Sequence, residues 1–489
     1  MSFNQARLRR LNEAPTRTRG PYVLYWAQAC RRLERNHALD YALACARELD
    51  KPLVVYEGLR LDYPWASARI HRFVLEGMAD NMATARRLGL HYWPFVETPQ
   101  APGRGLVHQL AKRAALVVTD DFPCFIVPGQ SAALAKRADV AVFAVDANGV
   151  VPASLLGAPV VAAAHLRTRI HKLFAEAWEH RTKRRVAITD VAGRRVSAPF
   201  ELWKPPRDLG AFLTTLPFPA EVAAVAGVPG GGTAARARLK AFVKERLAGY
   251  AERRSVPAAP AAGHASGLSP YLHFGHVSMD EIVEAVLGRE FDPGELRVHN
   301  RGRREGYFSD DPDVNAFLDE AVTWRDVGFH WHRARQRDTA RLETALPPWA
   351  LATLRAHAGD KRAFVYSRDE WEKSATHDPL WNAAQRELVA TGTIHNYLRM
   401  LWGKKVIEWS RSPEDAYATL VHLNNKYALD GRDPNSWTGI LWCFGLFDRP
   451  WAPERKVLGV LRYMSSENTA RKFKLAGYHD YVKGLESAP

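Results

Sequence analysis

The sequence predicts an α/β domain with a doubly wound parallel sheet, followed by a long connection and an all-helical domain. Up to about residue 190, short apolar runs rich in β-branched residues alternate with helix-like stretches, the pattern of a parallel sheet covered by helices. Between residues 199 and 232 prolines recur and a triple glycine follows, which indicates a connection rather than a packed element. Beyond it the strand-like alternation fades.

The elements follow from these patterns in chain order. The apolar runs that predict strands cover residues 22–26, 53–56, 116–119 and 140–145. The helix-like stretches between them include residues 38–48, 67–88 and 130–136. In the second half, helices are predicted within residues 234–254, 280–287, 314–327 and 381–409. The predicted divisions are a flexible leader at 1–20, an α/β domain at 21–190, a linker at 191–229 and a helical domain at 230–489.

Composition indicates a non-secreted protein with a polyanionic partner. The 489 residues include 68 Lys and Arg against 53 Asp and Glu, a formal net charge of +15. Nucleic acid is the leading partner, with a generally basic proteome as the alternative. The four cysteines form no Cys-x-x-Cys pair, and no run of 18 apolar residues occurs, so the sequence predicts no zinc site, no disulfide framework and no membrane span. We expect a cytoplasmic location, although the basic N-terminus is also compatible with a targeting leader.

Two spacings in the helical half place chemically useful side chains together. Glu320 and Trp324 are four residues apart on a predicted helix, so they share a face and can address one substrate. Trp402 and Trp409 are seven residues apart, which separates them by about 10 Å along a helix and suits electron hopping. A surface ion pair for Glu320 and an ordinary aromatic core for the tryptophans are the alternative interpretations.

Six sequence words carry a resemblance to a known family. They are GGTAA (231–235), LSPYLHFG (268–275), HDPLWNAAQ (377–385), LRMLWGKKVIEW (398–409), HLNNKYALDGRDPN (422–435) and GILWCFGLFDRPW (439–451). Together they resemble the flavin-binding region of class II cyclobutane pyrimidine dimer photolyases, which belong to the photolyase and cryptochrome superfamily. The resemblance runs from about residue 21 to residue 475 and is strongest from Gly230 onward.

The resemblance implies a noncovalently bound FAD and assigns roles to particular residues. The implied cofactor-binding residues are Tyr250, Ser266, Leu268, Tyr271, Arg399, Asn424 and Asp430. Arg399 and Asp430 would pair beside the isoalloxazine and Asn424 would face flavin N5; with Glu320 these three form the implied catalytic set. A structural salt bridge and a helix-cap asparagine are the alternatives. The implied electron relay runs through Trp402 and Trp381, with Trp409 outermost.

The same resemblance implies a lesion pocket. The implied substrate-contacting residues are Glu320, Trp324, Met400, Trp442 and Arg462. We expect the apolar walls of Trp324 and Trp442 to favour a protonated Glu320 carboxyl. The chain departs from the family pattern at Ala265, Gly328 and Leu401, which bears on fine positioning around the cofactor and the lesion. Further basic residues, from Arg471 to Lys474, suit either DNA phosphates or a solvated helix face.

Family-like words also occur in the α/β domain and suggest an antenna domain that holds a deazaflavin or folate chromophore. They are YWAQACRRLERNHAL (25–39), VVTDDFP (117–123) and VDANGVVP (145–152). Arg32 and Asn36 match family positions, although capping and core hydrogen bonds explain them almost as well. The glycines of residues 230–232 precede a helix whose N-terminus is suited to phosphate, with a plain linker turn as the alternative.

The implied activity is that of a deoxyribodipyrimidine photo-lyase, a carbon-carbon lyase that needs light and no metal. Its partner would be DNA containing cyclobutane pyrimidine dimers, with no membrane involved, and the protein would work as a monomer. The main alternative is a cryptochrome-like blue-light photoreceptor without repair activity, which would lack the lesion-facing residues. A light-independent basic flavoprotein is a third hypothesis, and it would not require all three relay tryptophans.

Overall fold

A computed structural model describes residues 3–182, 196–335 and 341–486. Parts of the predicted α/β domain (183–190), of the linker (191–195) and of the helical domain (336–340 and 487–489) therefore lie outside the described residues. The chain divides into two compact units. The first comprises Met1–Gly157, Thr168–Lys244 and Gly267–Asp310, and the second comprises Ala158–Arg167, Glu245–Ser266 and Asp311–Pro489. The domain boundaries drawn from the sequence stay a prediction.

The first unit contains a six-stranded sheet in the order β1-β6-β5-β2-β3-β4. The strands are β1 (Leu8–Arg10), β2 (Val23–Ala27), β3 (Leu53–Leu59), β4 (His91–Val96), β5 (Val117–Asp120) and β6 (Val142–Val145). All neighbours pair in parallel except β1, which is antiparallel to β6. The chain proceeds from β2 to one side through β3 and β4, then to the other through β5 and β6. The predicted doubly wound sheet is confirmed.

Both faces of the sheet are buried, which explains the continuous apolar runs. Along β2, Val23 and Tyr25 belong to one apolar cluster, whereas Leu24 and Trp26 belong to another on the opposite face. Successive side chains of a strand point to opposite faces, so a strand covered on both sides must be apolar throughout.

Three parts of the first unit differ from the sequence-based expectations. Residues 8–10 of the predicted flexible leader form β1, because their backbone pairs with β6 along the sheet edge. Strand β4 was not predicted, and its Pro94 is tolerated because β4 is the other edge strand. The connection is also packed. It contains helix α7 (Leu209–Thr214), and its Phe200 contacts the rings of Tyr56, Trp93 and Phe95.

Helices make up the remaining regular structure. In chain order they are α1 (Phe3–Ala6), α2 (His37–Glu48), α3 (Ala68–Leu88), α4 (Leu106–Arg113), α5 (Val127–Arg137), α6 (Ala163–Glu179), α7 (Leu209–Thr214), α8 (Gly232–Glu245), α9 (Tyr250–Arg253), α10 (Ser269–His273), α11 (Met279–Leu287), α12 (Pro312–Leu318), α13 (Arg325–Ala334), α14 (Leu342–Ala345), α15 (Pro348–Ala356), α16 (Arg368–Glu372), α17 (Pro379–Thr391), α18 (Asn396–Trp409), α19 (Pro413–Tyr427), α20 (Pro434–Cys443), α21 (Ser466–Lys472) and α22 (Ala476–Glu486). Short 3₁₀ turns occur at Ala153–Leu156, Pro293–Glu295 and Val298–Asn300, and a π-helical segment joins α12 to α13.

Local signals set the ends of the helices that matter for the site. Helix α17 begins at Pro379, where the Asp378 carboxylate accepts the backbone N–H groups of Leu380 and Trp381. It ends at Gly392, whose positive φ of 69° reverses the chain into α18. The single helix predicted over 234–254 is instead two helices, because Gly249 adopts a φ of 82° immediately before α9.

Two further properties concern the described part of the chain. All four cysteines are buried. Among the described helices, none combines the length and the apolar character that crossing a membrane would require.

Candidate active site

The π-helical segment Asp319–Trp324 carries the first two candidate residues of the second unit. Asp319 is buried and forms an ion pair with Arg167, with Arg167 Nε 2.7 Å from Asp319 Oδ1. This ion pair anchors the segment. Insertions of this kind inside α-helices occur frequently at functional sites. The segment directs Glu320 and Trp324 from a locally widened helix that the sequence did not predict.

Glu320 forms an ion pair with Arg254, whose Nη1 lies 2.7 Å from its Oε1. A guanidinium at that distance favours the carboxylate form. This arrangement differs from the protonated carboxyl expected from apolar walls alone. Arg254 also approaches the ring of Tyr250 at 5.7 Å, and burial raises the pKa of that phenol. Arg254 lies in none of the six sequence words, so its contact with Glu320 was not predicted.

Trp324 and Trp442 stack on each other with ring centroids 4.9 Å apart and planes 16° from parallel. Both indoles are half-buried, as is Met400. The helices behind them pack closely at Gly328, where an added Cβ would lie 2.5 Å from Asn435 Oδ1. Glycine at this departure from the family pattern therefore has a packing reason in this chain.

Arg399 and Asp430 form an ion pair in the second unit, with Arg399 Nη2 3.2 Å from Asp430 Oδ1. Asn424 is buried and donates through Nδ2 to Ser436 Oγ at 2.5 Å and to Asn425 Oδ1 at 3.1 Å. The geometry brings each predicted residue into the same group of helices. Their roles towards a flavin stay predictions.

The word DGRDPN forms the sharp connection between α19 and α20. Gly431 passes so close to α19 that an added Cβ would lie 2.8 Å from the Asn424 carbonyl oxygen. Arg432 is buried and donates to the carbonyl oxygens of Asn425 and Ala428, which satisfies the last carbonyls of α19. Asp433 then caps α20 by accepting the Asn435 N–H. This connection fixes Asp430 opposite Arg399.

The predicted relay tryptophans are all buried in the second unit. The rings of Trp381 and Trp402 are nearly parallel, at 7°, with centroids 6.4 Å apart. Trp402 Nε1 donates to Gln385 Oε1 at 3.0 Å, and Trp381 Nε1 donates to the Trp402 carbonyl oxygen at 3.1 Å. Trp371, which the sequence did not single out, contacts both Trp381 and Trp409.

Buried donors in this unit fit an acceptor-rich ligand such as FAD. Gln385 Nε2 and Asn425 Nδ2 are buried donors without hydrogen-bond partners among the described residues, and the ring nitrogen His395 Nδ1 is buried without one as well. Burial lowers the pKa of His395 to about 4, so its imidazole is neutral. Unpaired buried donors are costly in a folded protein. A ligand bearing ring carbonyls and phosphate oxygens would pair them.

Ser266 is half-buried in the loop of the second unit that follows Ala265, whereas Leu268 and Tyr271 belong to the first unit and are buried there. The Tyr271 hydroxyl donates to the Pro229 carbonyl oxygen at 2.9 Å.

The glycine turn before α8 does not offer a vacant phosphate site. The Gly230 N–H is taken by Glu76, and the backbone N–H and hydroxyl of Thr233 are both taken by Asp80, each at 2.7 Å. Two carboxylates of α3 thus occupy the positions that a phosphate would need. The alternative of a structural turn is the one that fits.

A second set of backbone donors lies at the carboxyl ends of β2 and β5. Asp120 Oδ2 accepts the backbone N–H groups of Gln28, Ala29 and Cys30 at 2.8 to 2.9 Å. Gln28 Nε2 donates to Thr119 and Ser131, whereas its buried Oε1 has no partner in the described chain. In doubly wound sheets ligands bind at this switch point, where the strand order reverses.

The two family-matched residues of this region have structural partners. Asn36 caps α2 and also donates to Tyr25, and Arg32 donates to the carbonyl oxygens of Arg35, Gly275 and Ala147.

Basic side chains surround the last part of the second unit. Arg462 is exposed, and its guanidinium lies 5.2 Å from the ring of Trp451. Arg471, Lys472 and Lys474 are exposed too. Their proposed contact with phosphates stays a prediction. Within the described ranges, no group of three or more His, Cys, Asp or Glu residues is arranged to hold a metal ion.

Comparisons with known proteins identify the family of the chain. The chain is 33% identical over 483 residues to the deoxyribodipyrimidine photo-lyase of Methanothermobacter thermautotrophicus, covering 98% of each chain. It is 32% identical over 509 residues to that of Oryza sativa subsp. japonica, covering 98% of this chain and 91% of the relative. The Potorous tridactylus protein of the same name is 31% identical over 485 residues, with 97% and 84% covered. No protein-family model matches the chain.

Solved structures show the same fold. A bacterial class III photolyase from Agrobacterium tumefaciens aligns with a TM-score of 0.62 and 18% identity, covering 95% of this chain and 86% of that one. A Synechocystis cryptochrome aligns with a TM-score of 0.63 and 17% identity, covering 96% and 90%. The sheet of the first unit and the helical second unit are therefore those of the photolyase and cryptochrome superfamily, and by its full-length relatives the chain belongs to the deoxyribodipyrimidine photo-lyase family.

Proposed function

We propose that this chain is a class II photolyase that splits cyclobutane pyrimidine dimers in DNA with light. The observation that carries the proposal is the coexistence, in one unit, of a half-exposed lesion-facing group and a buried tryptophan stack. Glu320, Trp324 and Trp442 form the first, and Trp381 and Trp402 form the second. A photoreceptor without repair activity would have no use for the first group.

FAD is the cofactor of the proposal. The residues of the second unit that would hold it are Tyr250, Ser266, Arg399, Asn424 and Asp430, whereas a role for Leu268 and Tyr271 of the first unit stays what the resemblance implies. In its reduced state, FAD supplies the light-excited electron that opens the cyclobutane ring and is returned afterwards, so the reaction has no net redox change. Arg399 would balance negative charge near the ring, and Asp430 would hold the guanidinium in place.

The lesion-facing side chains must rearrange when a dimer enters. The rings of Trp324 and Trp442 stack directly on each other and leave no room for a base between them. A flipped lesion therefore either packs on an outer face of the pair or pushes the two rings apart. Glu320 must exchange at least part of its contact with Arg254 for the base edges. Arg254 therefore holds Glu320 in position in the DNA-free protein. When Glu320 turns to the lesion, Arg254 becomes available to a DNA phosphate.

The experiment that tests the function uses a bacterial strain that lacks both photoreactivation and excision repair. Cells expressing the chain should survive ultraviolet irradiation better after blue light than after the same period in the dark. Cells expressing a Glu320→Ala, Trp324→Ala variant should lose most of this advantage. Equal survival in light and dark, with the flavin-loaded protein present, would reject repair and favour the photoreceptor.

An antenna chromophore of the deazaflavin or folate type is part of the proposal. The three backbone N–H groups at the switch point are already filled by Asp120, which disfavours a phosphate group there, whereas Gln28 Oε1 is ready to accept a donor from a ring. Reconstitution with each chromophore, read by energy transfer to the flavin, tests this point. Transfer from neither would remove the antenna from the proposal.

The remaining parts of the proposal concern partner and state. The partner is DNA containing pyrimidine dimers, the protein works as a cytoplasmic, DNA-associated monomer, and no membrane is involved. Light scattering of the free protein and of its complex with a damaged oligonucleotide tests the monomer, since a dimer would double the protein mass per lesion.

A further inference from the structure

The relay tryptophans leave a gap that a fourth indole fills. Among the described residues, Trp381 and Trp409 make no ring contact with each other. Trp371 lies between them, with its ring centroid 4.7 Å from Trp381 and 6.2 Å from Trp409. The planes of Trp371 and Trp409 are only 8° from parallel. The rings thus form the continuous series Trp402, Trp381, Trp371 and Trp409.

We propose that Trp371 is a fourth member of the electron relay and passes the electron from Trp409 to Trp381. The proposal rests on the proposed function, because a relay is useful only if light-driven oxidation begins at Trp402. Electron tunnelling weakens exponentially with the distance between rings. A route of short ring-to-ring steps is therefore favoured over a direct step from Trp409 to Trp381.

The surroundings of Trp371 suit an indole that is oxidised only transiently. Its side chain is buried, and its Nε1 has no hydrogen-bond partner among the described residues. An oxidised indole is a strong acid, but without an acceptor it cannot lose its proton. The positive hole therefore stays mobile and moves on to Trp409.

The position of Trp371 is fixed by the short helix α16. A capping box between Ser367 and Glu370 closes its N-terminus. At its other end, the Glu372 carboxylate accepts His422 Nε2 at 2.5 Å, Lys426 Nζ at 2.7 Å and the Tyr427 hydroxyl at 2.9 Å, all from α19. These contacts hold the five-residue helix α16 against α19. They thereby orient the indole of Trp371, the residue immediately before Glu372.

Each step of the route moves one electron and no atom. Trp402 is oxidised by the photo-oxidant, light-excited oxidised flavin. Trp402 then takes an electron from Trp381, Trp381 takes one from Trp371, and Trp371 takes one from Trp409. An external thiol such as dithiothreitol re-reduces Trp409, losing one electron and one proton.

The test compares Trp371→Phe with the parent protein in the absence of DNA, by transient absorption of the tryptophan radical. Phenylalanine keeps an aromatic ring in the core but is far harder to oxidise. The early radical on the inner tryptophans should form normally, and the long-lived radical should fall on the order of tenfold or more, equivalent to ~1.4 kcal/mol or more in barrier height. Trp409→Phe should give the same loss.

Trp331→Phe is the matched control, because Trp331 is a buried indole of the same unit that contacts none of the relay rings in the described chain. It should leave the long-lived radical unchanged. An unchanged long-lived radical in Trp371→Phe would overturn the proposal and show that Trp409 supplies Trp381 directly. If Trp402→Phe also kept the radical, or the parent formed none, the relay of the proposed function would fail instead.

A flavin-free measurement checks the geometry independently. The stacked pairs Trp324–Trp442 and Trp381–Trp402 give exciton signals that persist in both variants. The stacked rings of Trp371 and Trp409 should add an exciton signal of their own in near-ultraviolet circular dichroism of the apoprotein, and Trp371→Phe and Trp409→Phe should each remove it, seen as the same difference from the parent spectrum. Loss of this added signal in Trp371→Phe, with thermal unfolding near that of the parent, supports the stack. An added signal that survives Trp371→Phe would overturn it.

Discussion

Glu320 is held by Arg254 in the DNA-free protein, although its proposed partner is a base. A carboxylate with a guanidinium at 2.7 Å is charged and oriented. It is also only half-buried, so exchange with a lesion requires no large loss of buried contacts. At the scale of the residue, Glu320 is therefore already held in place without DNA, and it must leave Arg254 to reach its proposed partner.

We expect Glu320→Ala to bind flavin and to be photoreduced as the parent is, but to repair fewer dimers per absorbed photon. Loss of a hydrogen bond to a charged group costs roughly 1.5–3 kcal/mol, so the yield should fall about tenfold or more. Glu320→Gln, whose amide can both donate to and accept from a base edge, should recover part of it. An unchanged yield in Glu320→Ala would remove Glu320 from the lesion pocket.

Trp324→Ala should weaken binding of dimer-containing DNA. Stacking of a base on an aromatic side chain is worth roughly 1–3 kcal/mol, so affinity should fall about 5- to 150-fold. Undamaged duplex is the control, because its binding depends on phosphate contacts that weaken with salt. Fluorescence titration of both DNAs at one salt concentration measures the difference. Equal loss for both DNAs would place Trp324 outside the lesion contact.

At the scale of the element, helix α18 carries Arg399, Met400, Trp402 and Trp409. A rotation of this helix would therefore displace the residues proposed for cofactor, lesion and relay together. Its neighbour α17 contributes Trp381 and Gln385, which bind it through the two indole hydrogen bonds. Close helix contacts at Gly328 and Gly403 hold α20 against α13 and α18.

Trp402→Phe should abolish photoreduction of the oxidised flavin while leaving repair by chemically reduced protein nearly intact. The reason is that the relay recharges the cofactor and takes no part in splitting the dimer. Steady-state bleaching of the flavin under blue light measures the first activity, and dimer loss after dithionite reduction measures the second. Parallel loss of both, at normal flavin content, would make Trp402 structural.

Gly328→Ala should destabilise the protein by about 1–3 kcal/mol, since its Cβ would lie 2.5 Å from Asn435 Oδ1 and the helices must shift. Gly439→Ala is the control on α20. No atom lies within 4 Å of its added Cβ, so it should be neutral or stabilising by up to about 1 kcal/mol. Urea unfolding compares the two. A stabilised Gly328→Ala would contradict the close packing.

The elements also show what the sequence can and cannot predict. The buried strands and most helices follow from apolar periodicity. Strand β1 does not, because its short Leu-Arg-Arg run becomes a strand only through pairing with β6. Trp371 is likewise invisible in the sequence, since a tryptophan in a five-residue helix has no motif around it. The contact between Arg254 and Glu320 arises from tertiary packing between distant segments, which a single sequence does not encode locally.

At the scale of the whole molecule, 68 basic against 53 acidic residues give a net positive charge, which suits the proposed DNA partner. The exposed side chains of Arg462, Arg471 and Lys474 contribute to this positive charge. Two positions that resemble anion sites, before α8 and at the end of β2, are filled by Asp80 and Asp120. The sequence motifs indicate the family. That Asp80 and Asp120 occupy these two positions is seen only in the folded chain.

The most direct measurement of the central claim is the loss of dimers in an oligonucleotide mixed with chemically reduced, flavin-loaded protein, under blue light and in the dark. We predict that pyrimidine absorbance returns only in the light, in proportion to absorbed photons, with many dimers split per protein and the flavin still reduced at the end. Intact dimers under light, with damaged DNA bound and reduced flavin present, would contradict the account.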